Sequence, residues 1–158
     1  MTLGMPYVEI DTQPGSAERI ARFYTQVLAT LARCGEDAGG VFARVPAGLG
    51  ESLVFRETRH PVAAYDGHHV QIAVADFSGV HRRLLERGLI SEESNQSQYR
   101  FEKITDLDTG DVLVTLEHEV RSMRHPMYAR ALVNRDPATT NNHYAAGHEA
   151  AAWRMPPG

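Results

Sequence analysis

Two stretches of the chain are built to one plan, and that plan constrains the fold more than any single residue does. A short alternating run, Tyr7-Val8-Glu9-Ile10-Asp11, is followed by Ser16 and by an amphipathic stretch ending in Phe23-Tyr24. A second run, His69-Val70-Gln71-Ile72-Ala73-Val74, is followed by Asp76 and by an amphipathic stretch through Leu84-Leu85. Side chains alternate along a strand and recur every three to four residues on a helix, so each stretch reads as a strand feeding a helix. Glu9 precedes Ser16 by seven positions, and His69 precedes Asp76 by the same seven. A potential metal ligand therefore opens a strand in each half, at one distance from the following helix. A duplicated module would place two such ligands face to face across one cleft.

The rest of each half extends the parallel. Pro14-Gly15 ends the first strand, and Ser16 reads as an N-cap whose hydroxyl accepts an orphan amide of the first turn. Ile20, Phe23, Tyr24, Val27 and Leu28 share one helical face. Three strands follow, at about 30–35, 40–46 and 51–57, with Gly35 and Gly39-Gly40 marking the first turn and 46–50 the second. In the second half Asp76 caps a helix on which Phe77, Val80, Leu84 and Leu85 share a face, and Gly88 ends it. A weak strand near 89–93, a loop over 91–97, and strands at 99–105 and 111–119 complete the order, with turn chemistry at 106–110. The linker between halves spans 58–67. Arg56-x-x-Arg59-His60-Pro61 is echoed by Arg121-x-x-Arg124-His125-Pro126, which sets Ser52, not Glu57, opposite Glu117.

Composition narrows the partners. A chain of 158 residues with 42% hydrophobic and 23% charged content suits one ordinary domain. A net charge of −4 offers no basic field for nucleic acid or anionic lipid, and no apolar run reaches bilayer length. Cys34 is the single cysteine, so no internal disulfide forms, and the expectation is a cytoplasmic protein. Phosphate-binding glycine loops, nucleophile elbows and cysteine zinc patterns are absent; Glu117-His118-Glu119 lacks the two histidines one helical turn apart of a metalloprotease.

Phe23-Tyr24-x-x-Val27-Leu28, His69-Val70-x-Ile72-x-Val74-x-Asp76 and Asp108-Thr109-Gly110 before an apolar strand, in this order, resemble the vicinal oxygen chelate superfamily over about 6–120. That superfamily includes glyoxalases, extradiol dioxygenases, fosfomycin-type resistance enzymes and bleomycin-binding proteins. The resemblance implies an α+β fold of two βαβββ modules, at about 6–57 and 67–119 of a domain spanning 1–119, that form a half-barrel cleft. It also implies a divalent ion held by the first strand of each module and by late carboxylates, and a homodimer acting on a small molecule. His69 stands at the family's second-module ligand position, and Glu9 stands where His or Gln is usual. The family's closing ligand falls on Val114, while carboxylates appear only at Glu117 and Glu119. Strand parity puts Val114, Leu116 and His118 on one face and Thr115, Glu117 and Glu119 on the other. Glu117 then enters the cleft only through a one-residue register shift; otherwise His118 faces inward.

The resulting expectations are Glu9, His69 and Glu117 as metal ligands, with Mn²⁺, Zn²⁺, Ni²⁺ or Fe²⁺ as the ion. Glu9 or Glu57 would move a proton, and Tyr7, Gln71 and His118 would contact substrate. The leading function is a metal-assisted lyase, isomerase or dioxygenase; the competing one is a metal-free binding protein. Each residue also has a plainer role: His69 as a hydrogen-bonded strand residue, Glu57 in a surface ion pair with Arg56 or Arg59, and Tyr7 closing one end of the core. The extension 120–158, with Met127, Tyr128, Leu132, Val133, Tyr144 and Trp153, is too apolar for a free tail and is expected to pack on its own domain or on a partner subunit.

Overall fold

In the computed structural model the described residues are 5–126 and 128. The first module runs β1 (Tyr7–Thr12), α1 (Ala17–Val27), β2 (Arg33–Asp37), β3 (Gly40–Gly48) and β4 (Glu51–Glu57). The second runs β5 (His69–Val74), α2 (Phe77–Leu85), β6 (Ile90–Asn95), β7 (Gln98–Thr105) and β8 (Val112–Ser122). Each module folds into a four-stranded sheet, ordered β1-β4-β3-β2 and β5-β8-β7-β6. In both, the first strand lies parallel to the last because a helix carries the chain across, and the remaining pairs are antiparallel hairpins. The two βαβββ modules expected from the sequence are therefore present. Boundaries moved in two places: β6 occupies most of the expected 91–97 loop, and β8 runs three residues past 119. Apart from residues 120–126 and 128, the C-terminal extension lies outside the described residues.

Both helices pack on one face of their own sheet, and those faces share one core. Ile20, Phe23, Tyr24 and Val27 meet Ala43, Val45, Leu53 and Phe55 of the first sheet, while Val80 and Leu84 join Tyr99, Phe101, Leu116 and Val120 of the second. The buried face of α1 reaches both sheets. The Phe23 and Phe101 rings lie 6.1 Å apart, and the Tyr24 hydroxyl sits 2.6 Å from Nε2 of His118. Arg83 on α2 donates from Nε to the Val27 carbonyl at 2.7 Å, and Arg22 on α1 pairs with Asp108 in the β7–β8 turn. The helices thus lie between the sheets. The other face of each sheet points away from the shared core.

Register relates the modules differently from the seven-residue spacing. Arg56 on β4 pairs with Asp11 on β1, and Arg121 on β8 pairs with Ala73 on β5. If the two arginines are equivalent, His69 corresponds to Tyr7, and Gln71 to Glu9. The strand-to-helix loop explains the offset: residues 13–16 separate β1 from α1, whereas only 75–76 separate β5 from α2. Because the offset is two, parity survives, and Glu9 and His69 still face the same side of their sheets. Tyr7 pairs with Ser52 and His69 with Glu117, so Ser52 and Glu117 correspond as the Arg-His-Pro echo indicated.

Candidate functional site

The outward face of the first sheet carries Tyr7, Glu9 and Asp11 on β1, Phe42 and Arg44 on β3, and Ser52, Val54 and Arg56 on β4. Arg56 is its organising cation. Its Nε donates to Glu9 Oε1 at 2.9 Å, and its Nη1 to Asp37 Oδ1 at 2.8 Å and to the Gly40 carbonyl at 3.2 Å. These two carboxylates, Glu9 first, raise the Arg56 pKa further, and the guanidinium holds Asp37 below the usual carboxylate range. The same guanidinium lies 5.2 Å from the Phe42 ring centre, and Arg44 lies 5.7 Å from Phe42 and 6.0 Å from Tyr7. Tyr7, Arg44, Phe42 and Arg56 thus form a continuous alternation of ring and cation. Gly35, expected as a turn residue, sits within β2 beneath Phe42; a Cβ there would meet the ring at 2.7 Å.

The outward face of the second sheet is mostly polar. Arg100 on β7 donates to Glu117 and Glu119 at 2.9 Å each. Arg121 pairs with Glu119 and also donates to Gln98 Oε1 at 3.1 Å and Gln71 Oε1 at 3.0 Å. Arginine can only donate, so both amide oxygens turn toward Arg121 and both amide NH₂ groups remain as donors. His69 stands beside Glu117 in register and is exposed.

The structure distributes the expected residues over different surfaces. Tyr7 and Glu9 lie on one outward face; His69, Gln71 and Glu117 lie on the other. Among the described residues no three His, Cys, Asp or Glu side chains converge to hold an ion, so Glu9, His69 and Glu117 are not gathered within one chain. Glu9, with Asp11, lines a groove of about 400 Å³ between β1, the linker residues Val62 to His68 and the start of β8. Glu57 faces the core side, where Oε1 accepts the Ala17 amide at 2.9 Å and so caps α1. Ser16 occupies the N-cap position without that bond, and its hydroxyl donates to the Gln13 carbonyl at 2.6 Å. His118 is buried against the core, stacked on Phe101 with ring centres 4.3 Å apart. Its Nδ1 donates to the Leu116 carbonyl, Nε2 accepts from Tyr24, and burial lowers its pKa to about 4.

Glu117 faces outward by plain alternation along β8, where Val114, Leu116, His118 and Val120 all turn to the core and Glu117 pairs with His69. Val114, the position to which the simple count pointed, therefore lies on the core side, in register with Ile104. Arg44, Arg100 and the Phe42–Gly35 seat were not singled out from the sequence. Arg56 and Arg121 were visible as an echo, and their role as holders of Glu9 and Glu119 follows from that repetition.

The donor set does not suit an ion within a single chain. Glu9, Glu117 and Glu119 are each already engaged by an arginine, and a cation would have to displace that guanidinium.

No family model matches the chain, and no curated protein matches its sequence. Solved structures do match. A glyoxylase/bleomycin resistance protein/dioxygenase domain from Frankia sp. is 19% identical, with 82% of this chain and 100% of that chain covered at a TM-score of 0.51. The vicinal oxygen chelate fold is this chain's fold. The same fold matches a possible glyoxalase from Bacillus cereus at 14% identity, with 76% and 99% covered and a TM-score of 0.52. The antibiotic binding protein TnmS3 from Streptomyces sp. matches at 15% identity, with 77% and 98% covered and a TM-score of 0.52. A possible glyoxalase and an antibiotic binding protein share this fold, so the fold alone names no reaction.

Proposed function

We propose that the chain is a small-molecule binding protein that works as a homodimer, with the outward face of one copy's first sheet closing on the outward face of its partner's second sheet. The observation that carries this reading is that the expected residues are divided between the outward faces of two sheets and form no cluster of potential ligands among the described residues. Each face holds groups suited to an oxygenated ligand. Gln71 and Gln98 offer amide donors fixed by Arg121, while Tyr7 and Phe42 offer rings. Arginine-held carboxylates favour recognition without a resident ion. An antibiotic binding protein among the structures of this fold supports the same class. The test is a thermal-shift screen of dicarbonyls, catechols and epoxides on chelator-treated protein, with sedimentation analysis alongside. Ligand-induced stabilisation of a dimer is expected; stabilisation appearing only after Mn²⁺ or Zn²⁺ is restored would defeat the ion-free reading.

The register pairing of His69 with Glu117 favours a second reading, a metal-assisted lyase, isomerase or dioxygenase. It requires Glu9 of one copy to join His69 and Glu117 of another, and Arg100 and Arg56 to release their carboxylates. Elemental analysis of protein prepared without chelators separates the readings. A stoichiometric ion removed by both His69→Ala and Glu9→Ala supports the enzyme, and an ion content neither variant changes counts against it.

A further inference from the structure

The outward face of the first sheet contains two cations, Arg33 and Arg44 in register across β2 and β3, that no carboxylate among the described residues neutralises. Arg56 is held by Glu9 and Asp37, whereas Arg44 forms no hydrogen bond with any described residue. Asp37, the carboxylate whose charge Arg44 influences, is already bidentate on Arg56. Arg44 instead lies between two rings, with its guanidinium 6.0 Å from Tyr7 and 5.7 Å from Phe42. The two rings are seated differently. Phe42 rests on Gly35, where any side chain would collide with it, and the backbone of Tyr7 is held in β1 beside Ser52. Beneath them Val54, in register with both Glu9 and Arg44, is fully covered on this face, so the patch has an apolar floor.

We infer that this patch selects a planar aromatic anion, an aromatic carboxylate or phenolate. Its ring would stack against Tyr7 and Phe42, and its oxygens would take the planar donor fork of Arg44. A neutral aromatic would gain the stacking and forgo the charge-assisted hydrogen bonds. An aromatic cation would meet Arg44 as a like charge. The inference rests on the outward faces being a ligand-binding cleft, and it adds the chemical class of the ligand.

Calorimetric titration of the full chain with 2-naphthoate, 2-naphthylmethanol and 2-naphthylmethylammonium tests it. The acid should bind about tenfold more tightly than the alcohol, the gain of one partly exposed charge-assisted bond, and the ammonium most weakly. Arg44→Gln should reduce the acid to the level of the alcohol and leave the alcohol unchanged. Gly35→Ala, which displaces Phe42, should weaken acid and alcohol together; if that variant misfolds, Phe42→Leu makes the same measurement. Equal binding of acid and alcohol, or an acid affinity indifferent to Arg44→Gln, would overturn the selectivity and leave the cleft standing. Failure of all three compounds to bind would overturn both.

Discussion

The two modules share a strand order and differ in what their outward faces do with charge. On the first sheet Glu9, Asp37 and Arg56 are paired at the rim of an aromatic patch that keeps Arg44 uncompensated. On the second sheet Arg100, Glu117, Glu119 and Arg121 form a closed network with two glutamines, and Glu119 is largely withdrawn from solvent. At corresponding positions Tyr7 matches His69, Glu9 matches Gln71, Ser52 matches Glu117 and Val54 matches Glu119; Arg56 and Arg121, and Arg44 and Arg100, keep their residue type. Duplication preserved the scaffold and two arginines per sheet. The remaining outward residues diverged into an aromatic face on the first sheet and a charge-paired face on the second.

The core side breaks the comparison most strongly. The second sheet buries His118 where the first has the apolar Leu53 in the corresponding register. A pKa lowered to about 4 means that the folded state binds this proton less readily than the unfolded chain, whose imidazole titrates near 6.5. His118 therefore leaves stability intact above pH 6.5 and lowers it as pH falls toward 4, by about 3 kcal/mol in all. The double change His118→Leu with Tyr24→Phe, which removes the hydroxyl's partner and the hydroxyl together, should flatten that part of the pH dependence. Urea unfolding of both proteins between pH 7 and pH 4 measures it, and parallel curves would remove His118 as the cause.

A smaller effect separates the charge networks. Arg100→Met strands Glu117 and half of the hydrogen bonding of nearly buried Glu119, and should cost about 2 kcal/mol. Arg56→Met strands the more exposed Glu9 and Asp37 and should cost about 1 kcal/mol or less. Denaturant midpoints give both values, and equal losses would erase the distinction between the faces.

The smallest effect lies at the helix ends. After α2 the left-handed position is Gly88, with φ 64°, while after α1 it is Ala29, with φ 57°. Ala29→Gly should stabilise the protein by about 0.5–1 kcal/mol, since glycine has no Cβ to strain there. A thermal melt that falls instead would show that the methyl group is held by its neighbours.

Much of this architecture was legible in the chain. Alternation marked β1 and β5, three-to-four-residue periodicity marked α1 and α2, and the Arg-His-Pro echo related the modules correctly. The seven-residue spacing misaligned them because it counted across a loop that is two residues longer in the first half. Ser16 drew attention as a cap by residue type, yet Glu57, forty positions away, supplies the bond, which only the fold brings near. Parity placed Glu117 and His118 on opposite faces of β8, but only the packed core showed that the His118 face is the buried one. Above all, the apolar stripe of Ile20, Phe23, Tyr24 and Val27 announces burial without naming what covers it. The second sheet covers part of it through Phe101 and His118, and the candidate ligands Glu9, His69 and Glu117 are left on the sheet faces turned away from that core.

The central claim is that Glu9 and His69 meet only between copies. A Cys34→Ser protein carrying Glu9→Cys and His69→Cys, treated with a short bismaleimide and run under denaturing conditions, tests it directly. A cross-linked dimer is expected, and it should disappear on dilution below the dissociation constant. Efficient cross-linking within one chain, giving an internally bridged monomer, would contradict the account.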